Sequence, residues 1–418
     1  MFKKNVIILN ISALVVVFAV LFTNGAIAEE DVTNWLKRDT LTGNWGGSRD
    51  QLVEKGVKLD IEFTEYYQGM FSGDGNDDFE CGGRADILGN LDTKKIGLWD
   101  GGGLHTHLTY RFGDLPAFRG GALWPVSTGS ILPLDEKDSM VASSLYLSQR
   151  LGNSASILLG KINAVDLLAK DPFFGGWSNH RFMNLALVAP PSGVFPPVII
   201  GAVFNYRIAP YTLTFMVYDP HDRTGDYWPD DLFSDGVNLS LGATWTGKVF
   251  ERPSSINLTG IYSTEDSIDL SEILLPPDLQ TGTKDGAYNV SLKVSHLMLE
   301  SSTHPGQGLG LYGKAAVADG NPNPIEASFS GGFAGHRLVP GRPNDVFGIG
   351  YFFYNFSKDL KSAISPLFNF DDEQGVEIFY NLSVTPWFRV TADLQWIHPA
   401  NSDKDDAWLG GLRANVRF

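Results

Sequence analysis

The sequence predicts an all-β fold: a transmembrane antiparallel β-barrel of about 16 strands, preceded by a short N-terminal helix. Three observations predict it. Apolar and polar residues alternate with period two in run after run. The connections between runs alternate between long and short. Only 19 % of residues are charged, against about 25 % in soluble domains, while 12 % are aromatic and 46 are glycine. That composition suits strands with one face on lipid and aromatic girdles at the interfaces.

Export comes first. Lys3 and Lys4 precede an apolar run, Val6 to Phe22, broken only by Asn10 and Ser12. Ala26-Ile27-Ala28 then offers a small-x-small cleavage site, the order of a secretory signal. Residues 1–28 are therefore expected to be removed, leaving 29–56 as a periplasmic lead-in and 57–418 as the barrel. An uncleaved membrane helix is the competing reading, and the cleavage site argues against it. No later segment has the roughly 20 continuous apolar residues that a spanning helix requires.

Within Thr40 to Gly56 a short helix is expected: Ser48 as its cap, good helix formers from Arg49 to Lys55, and Gly56 as its stop. After Gly56 the period becomes two. Val57, Leu59, Ile61 and Phe63 alternate with Lys58, Asp60, Glu62 and Thr64. Leu104, Leu108, Tyr110 and Phe112 share one face, and His105, His107, Thr109 and Arg111 the other. Phe388, Val390, Ala392, Leu394 and Trp396 oppose Arg389, Thr391, Asp393 and Gln395. Each run is a ribbon with an apolar and a polar side.

Sixteen such runs lie near 57–66, 84–92, 102–112, 144–151, 155–162, 197–207, 211–219, 237–246, 254–263, 287–298, 308–318, 325–334, 345–356, 375–384, 387–397 and 408–418. Those at 197–207 and 345–356 have mixed faces. Gaps after odd runs average about 20 residues and gaps after even runs about 6, the pattern of long outer loops and short periplasmic turns. Lipid cannot satisfy backbone N–H and C=O groups, so the sheet must close. Sixteen strands leave an aqueous lumen where about eight would be filled by side chains. The polar faces then line a pore.

Other chemistry finds little support. A net charge of −16 disfavours nucleic acid as a partner. The single Cys81 excludes an intramolecular disulfide and a thiolate cluster. Gly308-Leu309-Gly310-Leu311-Tyr312-Gly313 has the spacing of a dinucleotide fingerprint, but it lies inside an alternating run with no helix after it. His105 and His107 could serve a metal, yet lack a third ligand nearby and fit a lumen wall better. Asp74, Asp77, Asp78 and Glu80 crowd a Gly-rich outer loop; a solvated acidic loop is preferred to a calcium site. No GxSxG, HExxH or Ser/His/Asp set stands out, so neither enzyme activity nor a cofactor is expected.

On the alternation, Arg111, Arg207, Lys293, Glu377, Arg389, Asp393, Gln395 and Arg413 face the lumen. Guanidinium forks and amides exchange hydrogen bonds with hydroxyl-rich solutes, and Trp177 or Trp228 could stack on a sugar ring; merely hydrating the wall is the plainer role. The terminal Phe418 ends an alternating strand, the aromatic feature that barrel-assembly machinery recognises.

Several blocks together resemble the OprB-type carbohydrate-selective outer-membrane porins. They include Leu41-Thr42-Gly43-Asn44-Trp45-Gly46-Gly47 with Arg49, GLGLYGKAAVADGNPNP from Gly308, Gly331-Gly332, and Gly341-Arg342-Pro343-Asn344-Asp345 running into FGIGYFFYNFS. Glu377 with Phe379-Tyr380-Asn381, Thr385-Pro386-Trp387, Asp393 to Ile397, and Gly411-Leu412-Arg413 to Phe418 complete the set. The resemblance implies a sixteen-stranded barrel in the outer membrane of a Gram-negative cell, passing glucose-like sugars. A loop within 113–143 or 163–196 is expected to narrow the pore. Outer-membrane lipid and small sugars are the expected partners, and a homotrimer is compatible with the class. The rivals are a general diffusion porin, an outer-membrane barrel enzyme and a secreted lectin-like β-protein.

Overall fold

The computed structural model describes residues 35–134, 138–168, 179–188, 195–227, 229–301 and 304–418. The expected signal segment 1–28, and Trp177 and Trp228, lie outside the described residues. Among the described residues sixteen antiparallel strands close into one barrel, each paired with its sequence neighbours and β1 with β16. They are β1 Val57–Ser72, β2 Glu80–Asp92, β3 Gly102–Gly113, β4 Met140–Leu151, β5 Ala155–Asn163 and β6 Val198–Ile208. Next come β7 Tyr211–Tyr218, β8 Asn238–Val249, β9 Arg252–Ile268, β10 Thr283–Glu300 and β11 Gly308–Ala318. The last five are β12 Ile325–His336, β13 Val346–Phe356, β14 Glu373–Ser383, β15 Phe388–His398 and β16 Ala407–Arg417. No described helix is long and apolar enough to cross a membrane.

Every strand falls where the alternation puts it, but several run longer. The β9–β10 hairpin extends past both expected edges, and its outer end is polar: Asp266 and Ser267 pair with Asp285 and Lys284, beyond a bulge where Thr264 and Glu265 oppose Gly286. There Gly286 takes φ 71, a conformation that favours a residue without Cβ. In β4 a bulge shifts the register between His107↔Ser144 and Leu108↔Ala142, which switches the inward face and hides the strand's start from a strict period-two reading.

Outward positions stay exposed and apolar, as Leu147, Phe215, Leu241, Leu258, Leu292, Phe329 and Leu412 show. So large an exposed apolar belt needs hydrocarbon around it. The seam is made by β1 and β16, with Glu62 opposite Arg417 and Gly69 opposite Gly410.

The lead-in docks at the seam. Helix α1, Ser48–Glu54, begins one residue earlier than expected. Gly47 (φ 94) is the N-cap and Ser48 the first helical residue, so the expected Ser48 cap is corrected. No side chain caps the helix directly; Asn44 Oδ1 instead accepts the Asp50 N–H at 3.2 Å. Gly56 does end the helix, with φ 91. Arg49 Nη2 donates to the Phe418 carbonyl at 2.5 Å, the Phe418 N–H to Ile61 O at 2.9 Å, and Trp387 Nε1 to Trp35 O at 3.0 Å.

Candidate pore and its constriction

Two of the outer loops turn inward. The first, 114–139, contains the short helix α2, Thr128–Ile131. The second, 164–197, contains α3, Ala164–Leu168, and α4, Leu185–Val188. The second loop carries the run Phe182-Met183-Asn184-Leu185-Ala186-Leu187-Val188, which is too apolar for a wet surface. Phe182, Met183 and Leu187 are fully buried inside the barrel. They meet inward aromatics of the wall: Phe182 packs edge-on against Phe379 (4.9 Å) and Tyr312 (5.8 Å), and Phe352 and Tyr354 join the same cluster. This explains the mixed face of 345–356. The inward side of β13 is aromatic because it covers a loop instead of meeting water.

Polar wall residues then hold the loop backbones. Glu377 accepts the N–H of Met183 and, at 2.8 Å, that of Asn184. Gln395 Nε2 donates to Val126 O at 2.9 Å and to Asp393 Oδ1 at 3.0 Å, while its Oε1 accepts from Asn184 Nδ2 at 3.2 Å. Arg413 Nη2 donates to Arg181 O at 2.5 Å and lies 3.8 Å from Asp393. Arg111 Nη1 donates to Ser130 O at 2.8 Å.

The structure thus brings five of the eight candidates, Arg111, Glu377, Asp393, Gln395 and Arg413, together around the folded-in loops. The other three are elsewhere. Arg389 lies toward the periplasmic end, donating to Asn381 Oδ1 (2.8 Å) and Asn344 O (3.1 Å). Arg207 is exposed at the end of β6 beside the turn at 209–210. Lys293 is on the inner face of β10, opposite Lys314 of β11.

Sequence reasoning left several anchors unnamed. Arg84 forks onto Asp86 (2.8 and 2.6 Å) and donates to Leu132 O at 2.9 Å, all fully buried. Tyr66 Oη donates to Asn179 Oδ1 at 2.5 Å. The alternation already turned Arg84 and Tyr66 inward, and the apolar run at 182–188 was the cue for what they meet.

The two histidines are structural. His105 stacks on Tyr146 (4.7 Å) and hydrogen-bonds Asn90 and Ser148. His107 bridges Asp86 and Asp166, both at 3.0 Å, tying β3 to α3 at the root of the second loop. In the acidic outer loop Glu80 pairs with Arg119 at 2.7 Å, and Asp74 accepts the Asp405 N–H at 2.8 Å. The glycines of 308–313 lie within β11, and a two-residue crossover to a helix does not follow.

Among the described residues the loops cover only part of the wall. Inward residues from β13 round to β3, including Tyr354, Glu377, Gln395, Arg413 and Arg84, are buried. Inward residues at mid-height on β7 to β11, such as Thr214, Thr244, Asn257, Thr259, Lys293 and Lys314, keep part of their surface open. The passage left by the loops runs along that second wall.

A closed sixteen-stranded barrel with a half-filled lumen now stands beside known proteins. Residues 79–418 match the family model of the carbohydrate-selective porins, OprB family. The chain belongs to that family. Among curated proteins it is 23 % identical to a putative porin QuiX of Acinetobacter baylyi over 433 residues, covering 91 % of this chain and 93 % of that one. It is also 23 % identical to Porin B of Pseudomonas aeruginosa, covering 90 % and 91 %. Its fold matches the high-pH structure of Pseudomonas putida OprB with a TM-score of 0.79 at 18 % identity, covering 94 % of this chain and all of that one. This member of the OprB family is therefore a carbohydrate-selective channel of the Gram-negative outer membrane.

Proposed function

We propose that single sugars of glucose size diffuse passively along the wall of β7 to β11, while the loops 114–139 and 164–197 set the gauge of the passage. The observation that carries this reading is the division of the lumen. One wall is buried under loops anchored by Glu377, Gln395, Arg413 and Arg111, and the other presents open hydroxyls, amides and lysines. In that arrangement the four anchors act on a solute through the loops they hold. Arg389 and Arg207 serve the periplasmic exit, and Lys293 the passage itself. Hydroxyl and amide groups exchange hydrogen bonds with a sugar at nearly the strength water offers, so binding is weak enough for release.

Supporting roles complete the proposal. Residues 1–28 direct export, residues 29–56 stay on the periplasmic side, and Phe418 is the assembly signal read by the barrel-assembly machinery. Three barrels associate in the membrane, and the protein catalyses no reaction.

Planar-bilayer recording tests the sugar preference. Glucose at millimolar concentration is expected to reduce ion current through the purified protein, and maltose less so. Current indifferent to both sugars would leave a general diffusion porin as the better description.

A further inference from the structure

The charge on the open wall is opposite to that of the chain. The protein carries a net −16, yet the inward mid-height positions of β8 to β12 bear lysines among uncharged side chains such as Thr244, Asn257, Thr259 and Ser295. Glu265, on the same wall, lies toward the outer mouth, 3.4 Å from His221. The inward carboxyls Glu377, Asp393 and Asp86 belong to the opposite, covered wall, where loop N–H groups, Gln395 and Arg84 hold them.

Lys314 is the centre of this wall. It is partly exposed, and among the described residues it forms no ion pair. Its register partner on β10 is Lys293, and like charges directly opposite across strands repel. Its partner on β12 is Ser330, whose hydroxyl is buried and, among the described residues, has no hydrogen-bond partner. Two residues away on the same face of β11, Tyr312 packs against Phe182 at 5.8 Å. Two ammonium groups and a buried hydroxyl on three adjacent strands thus share one stretch of the passage.

Cations partly withdrawn from water are costly unless an anion meets them, and the strongest match for such a set is a carboxylate or phosphate oxygen. Cationic linings of this kind are how pores take anions. We propose that Lys314, Lys293 and Ser330 form an anion subsite, and that the solutes preferred by this channel include acidic sugars, polyhydroxy chains or rings bearing one carboxylate. The inference rests on the reading of the protein as a sugar channel and adds the charge of the sugar.

The test is current block in a planar bilayer at about 0.1 M salt, where screening reaches only about 10 Å. Gluconate and glucose are compared on the wild-type protein and on Lys314→Gln, Lys314→Arg and Lys293→Gln. Gluconate is expected to block at about five- to tenfold lower concentration than glucose. Lys314→Gln removes that advantage, Lys314→Arg restores it, and Lys293→Gln reduces it. Migration of the unheated protein on gels checks that each variant is a folded barrel. Gluconate no more potent than glucose overturns the acidic-sugar inference and leaves sugar uptake standing. An advantage that survives both glutamine variants also overturns it, because the subsite is then elsewhere. A channel indifferent to both solutes overturns the inference and the sugar reading together.

Discussion

Glu377 on the inner face of β14 receives the backbone N–H of Asn184 at 2.8 Å, across 193 residues of sequence. With Met183 donating to the other carboxyl oxygen, one wall side chain fixes two consecutive peptide groups of the second inward loop. Glu377→Ala removes both bonds, each worth about 1–3 kcal/mol when a buried donor is left without a partner. Single-channel conductance is expected to rise, and liposome swelling to admit disaccharides that the parent protein excludes. Unchanged conductance and size cut-off would separate Glu377 from the gauge of the pore.

Arg84 and Asp86 form a buried pair that also carries Leu132 of the first loop. Arg84→Met strands the Asp86 carboxyl with only His107 and Thr109, at a cost of about 3–5 kcal/mol. The midpoint of urea unfolding should fall clearly for Arg84→Met and recover in part in the double variant with Asp86→Leu. A single variant as stable as the parent protein would sink this account.

Gly308 and Gly313 belong to one GxGxxG spacing but have different surroundings. At Gly308 (φ 146) an added Cβ would lie 1.9 Å from Leu299 O, whereas at Gly313 its nearest neighbour is Phe329 at 3.9 Å. Gly308→Ala is expected to cut the yield of folded barrel several-fold, and Gly313→Ala to leave it near that of the parent. Equal yields from both variants would contradict this reading.

Asp219 sits in the outer loop after β7, fully buried. Burial alone would raise its pKa, but the Arg223 fork and the N–H groups of Phe233 and His221 outweigh that and hold it below the ordinary carboxylate value. A depressed folded-state pKa stabilises the loop above the unfolded value of about 3.9, and the contribution is lost as pH falls through the folded value. Hydrogen exchange in residues 219–236 should therefore stay slow from neutral pH to about pH 4 and accelerate below it. In Asp219→Asn the acid step should vanish; a step of the same size in that variant would assign it to another group.

How far the sequence discloses this molecule depends on the range of the interaction involved. Alternation is local, so every strand could be read directly, and its inward face too, apart from β6 and β13 with their mixed faces and β4, where one extra residue at the bulge reverses the face. The polar outer end of the β9–β10 hairpin has no lipid to impose an apolar side, so its length was underestimated. The inward direction of Glu377, Gln395 and Arg413 was legible for the same local reason. Their partners were not, since Asn184, Val126 and Arg181 lie hundreds of residues away. The run at 182–188 and the aromatic inner face of β13 were the two signals that together announce a loop folded inside. Lys314 escaped notice because its own strand is glycine-rich, and its significance comes only from Lys293 and Ser330 beside it.

The join between β1 and β16, clamped by Arg49 on Phe418 over 369 positions, sets the timing of biogenesis. Until β16 has arrived, β1 has a raw hydrogen-bonding edge that hydrocarbon cannot accommodate. Any chain stopped short by translation or proteolysis is left as an open sheet, without a shape that can persist in a bilayer, so completeness of the polypeptide is checked by the geometry of closure itself.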